Sequence, residues 1–241
     1  MSFAIVAYID LSKEKQSVTE SGRYHRVVAF GCSHVVGCEI QPYLGGQIWD
    51  YDQHCKPWAF PQELAQKLQM PCSNWAMSGG SNDRSLRIFS REAARMPASI
   101  VIFGWTWTDR REFWWPDQGT WPTRDPDGYL QVGSQWADIE LGQNRANQAY
   151  IRDIWRPCSD LTWQHHCVRA LAQAHGHLLI ELAFTNEPDL VCPGAEPIEG
   201  HSNWISWIEA RGFARGPRGH ALALAHQEMA EILHQRILAV E

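Results

Sequence analysis

The chain has 241 residues, 44% of them hydrophobic and 20% charged, which suits one α/β domain with a sizeable core. A net charge of −6 and a pI near 6.0 speak against a nucleic-acid footprint or a polybasic membrane contact, and no basic stripe offsets them. Seven scattered cysteines (Cys32, Cys38, Cys55, Cys72, Cys158, Cys167, Cys192), an odd number without a C-x-x-C pair, fit free thiols in a reducing compartment, so a cytoplasmic protein is expected.

Residues 1–24 read as an N-terminal extension with one strand, Ala4 to Ile9. That run is short and has no basic residue ahead of it, so neither a signal peptide nor a membrane span is expected. The domain proper is 25–241. Val27 to Phe30 is a short apolar run that fits a buried strand ending at Gly31, with Ser33 two residues later. Tyr43 to Phe60 is a long Gly- and aromatic-rich connection, and Pro61 opens a helix from Gln62 to Leu68. Cys72 to Ala76 is short and leads into Met77-Ser78-Gly79-Gly80-Ser81-Asn82, where Ser81 is placed to cap a helix from Asp83 to Met96.

Ser99 to Gly104 is nearly all apolar, as expected of a strand covered on both faces of a parallel sheet. Trp105 to Trp136 holds six of the 13 tryptophans among Pro, Gly and Asp. It is too aromatic for a disordered linker and reads as an ordered insertion over the edge of the sheet. Asn144 to Gly176 is helical with a break at Pro157, Leu178 to Phe184 is another strand, Thr185 to Gly200 is a connection, and Ala221 to Val240 is the last helix. Strands alternating with helices predict a three-layer α/β/α domain with a doubly wound, mostly parallel, flavodoxin-like sheet. The ends after Gly31, Ala76, Gly104 and Phe184 then share one edge, where ligands bind in such sheets.

Ser33 at that edge reads either as a helix N-cap or as a nucleophile. Here the residues resemble the SGNH (GDSL-like) hydrolases, over Val27 to about Ile232. The first block is similar to Phe30-Gly31-Cys32-Ser33-His34, the second to Asn74 through Asn82, the third falls on Val101 to Thr108, and the last resembles Gly219-His220 with His226 beyond it. Three residues depart from the pattern. Cys32 replaces the family Asp, Thr106 or Trp107 stands where an Asn is expected, and Pro217 stands where the triad Asp falls.

The resemblance implies an ester hydrolase with Ser33 as nucleophile and His220 as base, needing no metal or cofactor. It assigns oxyanion donors to the N–H groups of Ser33 and Gly79, with a side chain from the third block. Thr106 is set ahead of Asn82 for that place, and His34 is set beside the substrate, although a solvated loop histidine is the plainer reading. The group orienting His220 is open between a backbone carbonyl, Asp109, Glu112 and Asp189. His226 is expected to be structural, and Arg110 is read as part of a salt-bridged brace. His165 and His166 are neighbours on a helix and so make a poor metal pair. The expected substrates are small or glycan esters, including O-acetyl groups on carbohydrate. Two other functions fit the same residues: a weakly active module binding a glycan or protein partner through the Trp-rich face, and an acyltransferase.

Overall fold

The computed structural model describes residues 23–42, 48–108, 110–114, 129–132, 161–185 and 194–240. The expected strand from Ala4 to Ile9, most of the Trp-rich insertion, Asp109, Asp189 and the helical stretch before residue 161 lie outside them.

Among the described residues four parallel strands form the sheet: β1 (Val27–Phe30), β2 (Cys72–Asn74), β3 (Ile100–Trp105) and β6 (Leu178–Ala183), in the order β2-β1-β3-β6. Alternation along each strand sends side chains to two separate cores. On one face Val27, Ala29, Ile100, Ile102, Ile180 and Leu182 pack against α3 (Phe60–Lys67), α6 (Trp204–Arg211) and α7 (Ala223–Val240). On the other, Val28, Phe30, Val101, Phe103 and Trp105 meet α4 (Asn82–Glu92) and α5 (Thr162–Ala174). Burial on both faces is why β1, β3 and β6 are mostly apolar in sequence, whereas the edge strand β2, Cys-Ser-Asn, is only half-buried. The domain is therefore a three-layer α/β/α fold. From β1 the chain first adds β2 on one side and then β3 on the other, so the crevice beyond the carboxyl ends of β1 and β3 is the switch point of the sheet.

Local structure departs from the sequence reading at three places. The connection from Tyr43 to Phe60 is not a loop throughout: it contains α2 (Ile48–Cys55) and a 3₁₀ turn, Lys56–Trp58. The Trp-rich insertion contains an antiparallel pair, β4 (Arg111–Trp114) with β5 (Tyr129–Val132). Helix α6 follows the polar connection after β6, started by the Asn203 side chain accepting from the Ser206 N–H and ended by Gly212. Ser81 caps α4 as expected, accepting from the Arg84 N–H at 3.1 Å. No described helix is long and apolar enough to cross a membrane.

Two buried titrating groups give the domain an acid-dependent stability. His226 on α7 is 1% exposed, accepts from the Phe60 N–H at 3.2 Å and stacks on the Phe60 ring. Burial, helped by the charge of His220, lowers it from 6.5 to about 3. The folded protein thus binds fewer protons than the unfolded chain in that window, and stability is lost as pH falls from 6.5 toward 3. Asp52 on α2 works in the opposite sense. Burial raises it from 3.8 to about 6, against the hydrogen bonds from Ser78 and the charges of Lys56 and Arg84, so its contribution declines as pH rises through that range. We expect His226→Gln to flatten the fall of the urea midpoint on acidification and Asp52→Asn to steepen it, by effects on the order of 1–3 kcal/mol. An unchanged pH profile in both variants contradicts these assignments.

Candidate active site

β1 is followed by Gly31, whose φ of 148° lies outside the ordinary range of other residues and where a Cβ would come within 2.6 Å of Val35 Cγ2. The turn delivers Ser33 as the first residue of the single-turn helix α1 (Ser33–Val36), so the Ser33 N–H has no acceptor within the helix. Ser33 itself caps nothing, since Cys32 occupies the N-cap position.

His220 approaches from the loop before α7. Its Nε2 lies 2.8 Å from Ser33 Oγ, and its Nδ1 lies 2.9 Å from Glu39 Oε2. The carboxylate that contacts the His220 ring is therefore Glu39, which the sequence reading did not name. Glu112, one of the expected carboxylates, is instead held by both Nε and Nη2 of Arg87, at 2.7 Å each. A backbone carbonyl is not needed.

Several contacts fix Glu39. It sits just beyond the left-handed Gly37 that ends α1 and itself has a φ of 69°, uncommon for a residue with a side chain. Its N–H donates to Tyr51 Oη at 2.8 Å, and the Tyr51 hydroxyl donates to the Gln41 carbonyl at 3.1 Å. Its carboxylate accepts from the N–H groups of Arg218 (2.8 Å) and His220 (3.1 Å). The turn carrying those donors can press this close because residue 216 is glycine: a Cβ there would lie 2.7 Å from the Glu39 Cβ. Pro217 lies in this same turn, and Glu39 reaches it from the other side, its carboxylate accepting from the Arg218 N–H.

The electrostatics suit proton transfer. Burial opposes ionisation of Glu39, yet hydrogen bonds from the Arg218 and His220 N–H groups and the His220 ring outweigh it and hold the carboxyl below its ordinary value. An ionised Glu39 fixes the proton of neutral His220 on Nδ1 and leaves Nε2 to accept from Ser33. Burial lowers the His220 pKa, Glu39 raises it, and Arg110 and Arg218 lower it further, for a net value below 6.5. The ring is thus neutral, the form a general base requires.

The second block lies against the first. The Met77 N–H donates to the Gly31 carbonyl at 3.2 Å, and a Cβ on Gly80 would come within 2.9 Å of the same oxygen. Between them Gly79 has a φ of 71° and open space where a Cβ would be. Ser78 anchors this turn: its N–H (2.7 Å) and hydroxyl (2.5 Å) both donate to buried Asp52.

The remaining expected residues are placed differently. Asn82 clasps the backbone of Thr106, accepting its N–H at 2.9 Å and donating to its carbonyl at 3.0 Å, so the amide ties α4 to the end of β3. The Thr106 side chain is fully buried and accepts from Arg110 Nη1 at 3.0 Å. His34 is not the solvated loop residue of the plainer reading. It is 5% exposed, with its ring 4.8 Å from that of His220, and burial together with the neighbouring His220 and Arg110 charges keeps it neutral. Arg110 has its guanidinium 4.5 Å above the Trp107 ring and forms no salt-bridged brace. Away from the site, His165 hydrogen-bonds Glu181, and His177 spans the Ala93 carbonyl and the Ser99 N–H. No group of three potential metal ligands occurs among the described residues.

No protein-family model and no curated protein matches the chain. Among solved structures it is similar to a protein assigned to the G-D-S-L lipolytic family from Desulfitobacterium hafniense DCB-2 (12% identity, TM-score 0.40, 87% of this chain and 98% of that one). It is also similar to a carbohydrate esterase family 2 enzyme with a carbohydrate-binding domain from Corynascus thermopiles (Myceliophthora fergusii) (13% identity, TM-score 0.40, 90% of this chain and 66% of that one). A third is a carbohydrate esterase whose active site is described as having divergent catalytic and non-catalytic binding functions (14% identity, TM-score 0.36, 90% of this chain and 69% of that one). Overlaps this loose leave the chemistry to the residues themselves.

Proposed function

We propose that the protein is a serine hydrolase of carboxylic esters acting through Ser33, His220 and Glu39. The observation that carries this reading is the unbroken hydrogen-bonded line from Ser33 Oγ to His220 Nε2 and from His220 Nδ1 to Glu39. A free serine is a poor nucleophile at neutral pH, and this arrangement removes its proton as it attacks.

Ser33 Oγ adds to the ester carbonyl carbon while His220 Nε2 takes the hydroxyl proton. The charge on the carbonyl oxygen falls to the N–H groups of Ser33 and Gly79. As the intermediate collapses, the bond to the leaving alcohol breaks and His220 returns the proton to that oxygen, leaving an acyl-Ser33. Water then attacks with its proton passing to His220, and the carboxylic acid departs as Ser33 regains its hydrogen. Glu39 orients the imidazole and stabilises its cationic form. No step needs a metal or cofactor. Acyl transfer to an alcohol in place of water follows the same sequence.

The test is turnover of small chromogenic acetate esters, with O-acetylated sugars as the next substrates. Ser33-dependent release of acetate is the expected result; a folded protein that turns over none of them contradicts the reading. A glycan- or protein-binding module is the second reading. It is favoured by the commitment of the Asn82 amide to the Thr106 backbone, since a missing oxyanion donor costs about 10²–10³ in rate. Glycan binding that persists in Ser33→Ala without hydrolysis by the native protein selects it.

A further inference from the structure

Arg110 brings to the site a positive charge that no described carboxylate balances. The residue is 8% exposed, gives one hydrogen bond from Nη1 to Thr106 Oγ1 at 3.0 Å, and has a buried Nε with no partner. Among the described carboxylates, Glu112 is engaged with Arg87 and Glu39 with His220. A buried cation without a counter-ion is costly, and a fold retains one where a ligand completes it.

Its position relative to the chemistry is set by Trp107. The guanidinium lies 4.5 Å from that ring, whose centroid is in turn 6.0 Å from the His34 ring, and His34 lies 4.8 Å from His220. His34 Nδ1 is a second buried nitrogen with no partner in the same cluster. The Arg110 charge is felt at both histidines. Stacking on Trp107 holds the guanidinium plane, and a fixed guanidinium fork matches the two oxygens of a carboxylate.

We infer that Arg110, with His34 beside it, holds a carboxylate on the substrate, so that the enzyme selects esters of anionic molecules over neutral ones. This rests on the ester hydrolysis proposed above and adds to it the class of substrate. The anion completes the buried guanidinium, and its attachment point orients the acyl group over Ser33.

The experiment compares kcat/KM for para-acetoxybenzoate and for its methyl ester in the native protein, Arg110→Gln and Arg110→Lys, with far-ultraviolet circular dichroism as the check of folding. A charge-assisted contact predicts a preference for the anion of about 10- to 100-fold. That ratio falls to about one in Arg110→Gln and is partly kept in Arg110→Lys. No preference in the native protein, or a ratio unchanged in Arg110→Gln, overturns the inference. Calorimetric binding of para-hydroxybenzoate to Ser33→Ala, and to Ser33→Ala with Arg110→Gln, separates this claim from hydrolysis. Binding lost with Arg110 upholds the carboxylate site even if no ester is turned over, and absence of binding overturns it.

Discussion

Ser33→Ala and His220→Ala each lower kcat on an acetate ester by about 10⁴–10⁶-fold, and the double variant is no slower than either single one. The non-additivity is the informative part. The two side chains meet at 2.8 Å and act in one step, so once the hydroxyl is gone the base has no proton to take. The loss does not come from unfolding. Ser33 Oγ is bonded to His220 and the helix start is held by backbone contacts from Cys32, so Ser33→Ala keeps the native melting transition. Two single losses that multiply in the double variant contradict a shared step.

Glu39→Gln gives the next largest effect, a fall in kcat of about 10²–10⁴-fold. The amide is nearly isosteric, but it can present its NH₂ to the imidazole, reversing the tautomer and placing the proton on the nitrogen that must accept from Ser33. The pH profile distinguishes this from a loss of packing. Burial already lowers His220, and Glu39 is what opposes that lowering. Without the carboxylate the ring pKa falls further, so the acid limb of kcat/KM moves to lower pH even as its plateau drops. A reduced plateau with an unmoved or raised acid limb contradicts the role assigned to Glu39.

Three strands are legible in the sequence because both their faces are covered, which leaves apolar runs at β1 and β3 and one interrupted by Glu181 alone at β6. Ser33 stands after a strand end and His220 before a long helix, and the resemblance to the SGNH pattern is what paired them in the sequence reading. Glu39 is not legible. It lies on no regular element, its backbone is in the left-handed region, and its partner is 181 positions away. The close packing of the Gly216 turn is what brings its carboxylate to the His220 ring. Helix α2 is hidden by its composition, Ile-Trp-Asp-Tyr-Asp-Gln-His-Cys, in which Gln53 is the one strong helix former and Asp50, Asp52 and His54 dilute the apolar positions. Helix α6 did carry a signal, the capping pair Asn203 and Gly212, in a stretch to which the sequence reading assigned no element.

Asn82 shows the limit of transferring a motif position by position. Its place in the second block suggested a donor to the substrate, whereas its amide joins two elements through the Thr106 backbone. On the proposed mechanism the oxyanion is left to backbone N–H groups, that of Ser33 at the start of α1 and that of Gly79 on the turn that Asp52 anchors through Ser78.

The most direct test of the Ser33, His220 and Glu39 assignment is the intact mass and peptide map of the protein after reaction with a fluorophosphonate. One adduct on Ser33 is expected, abolished in Ser33→Ala and strongly slowed in His220→Ala. A folded protein that stays unmodified, or one modified at another serine at the same rate in all three proteins, contradicts it.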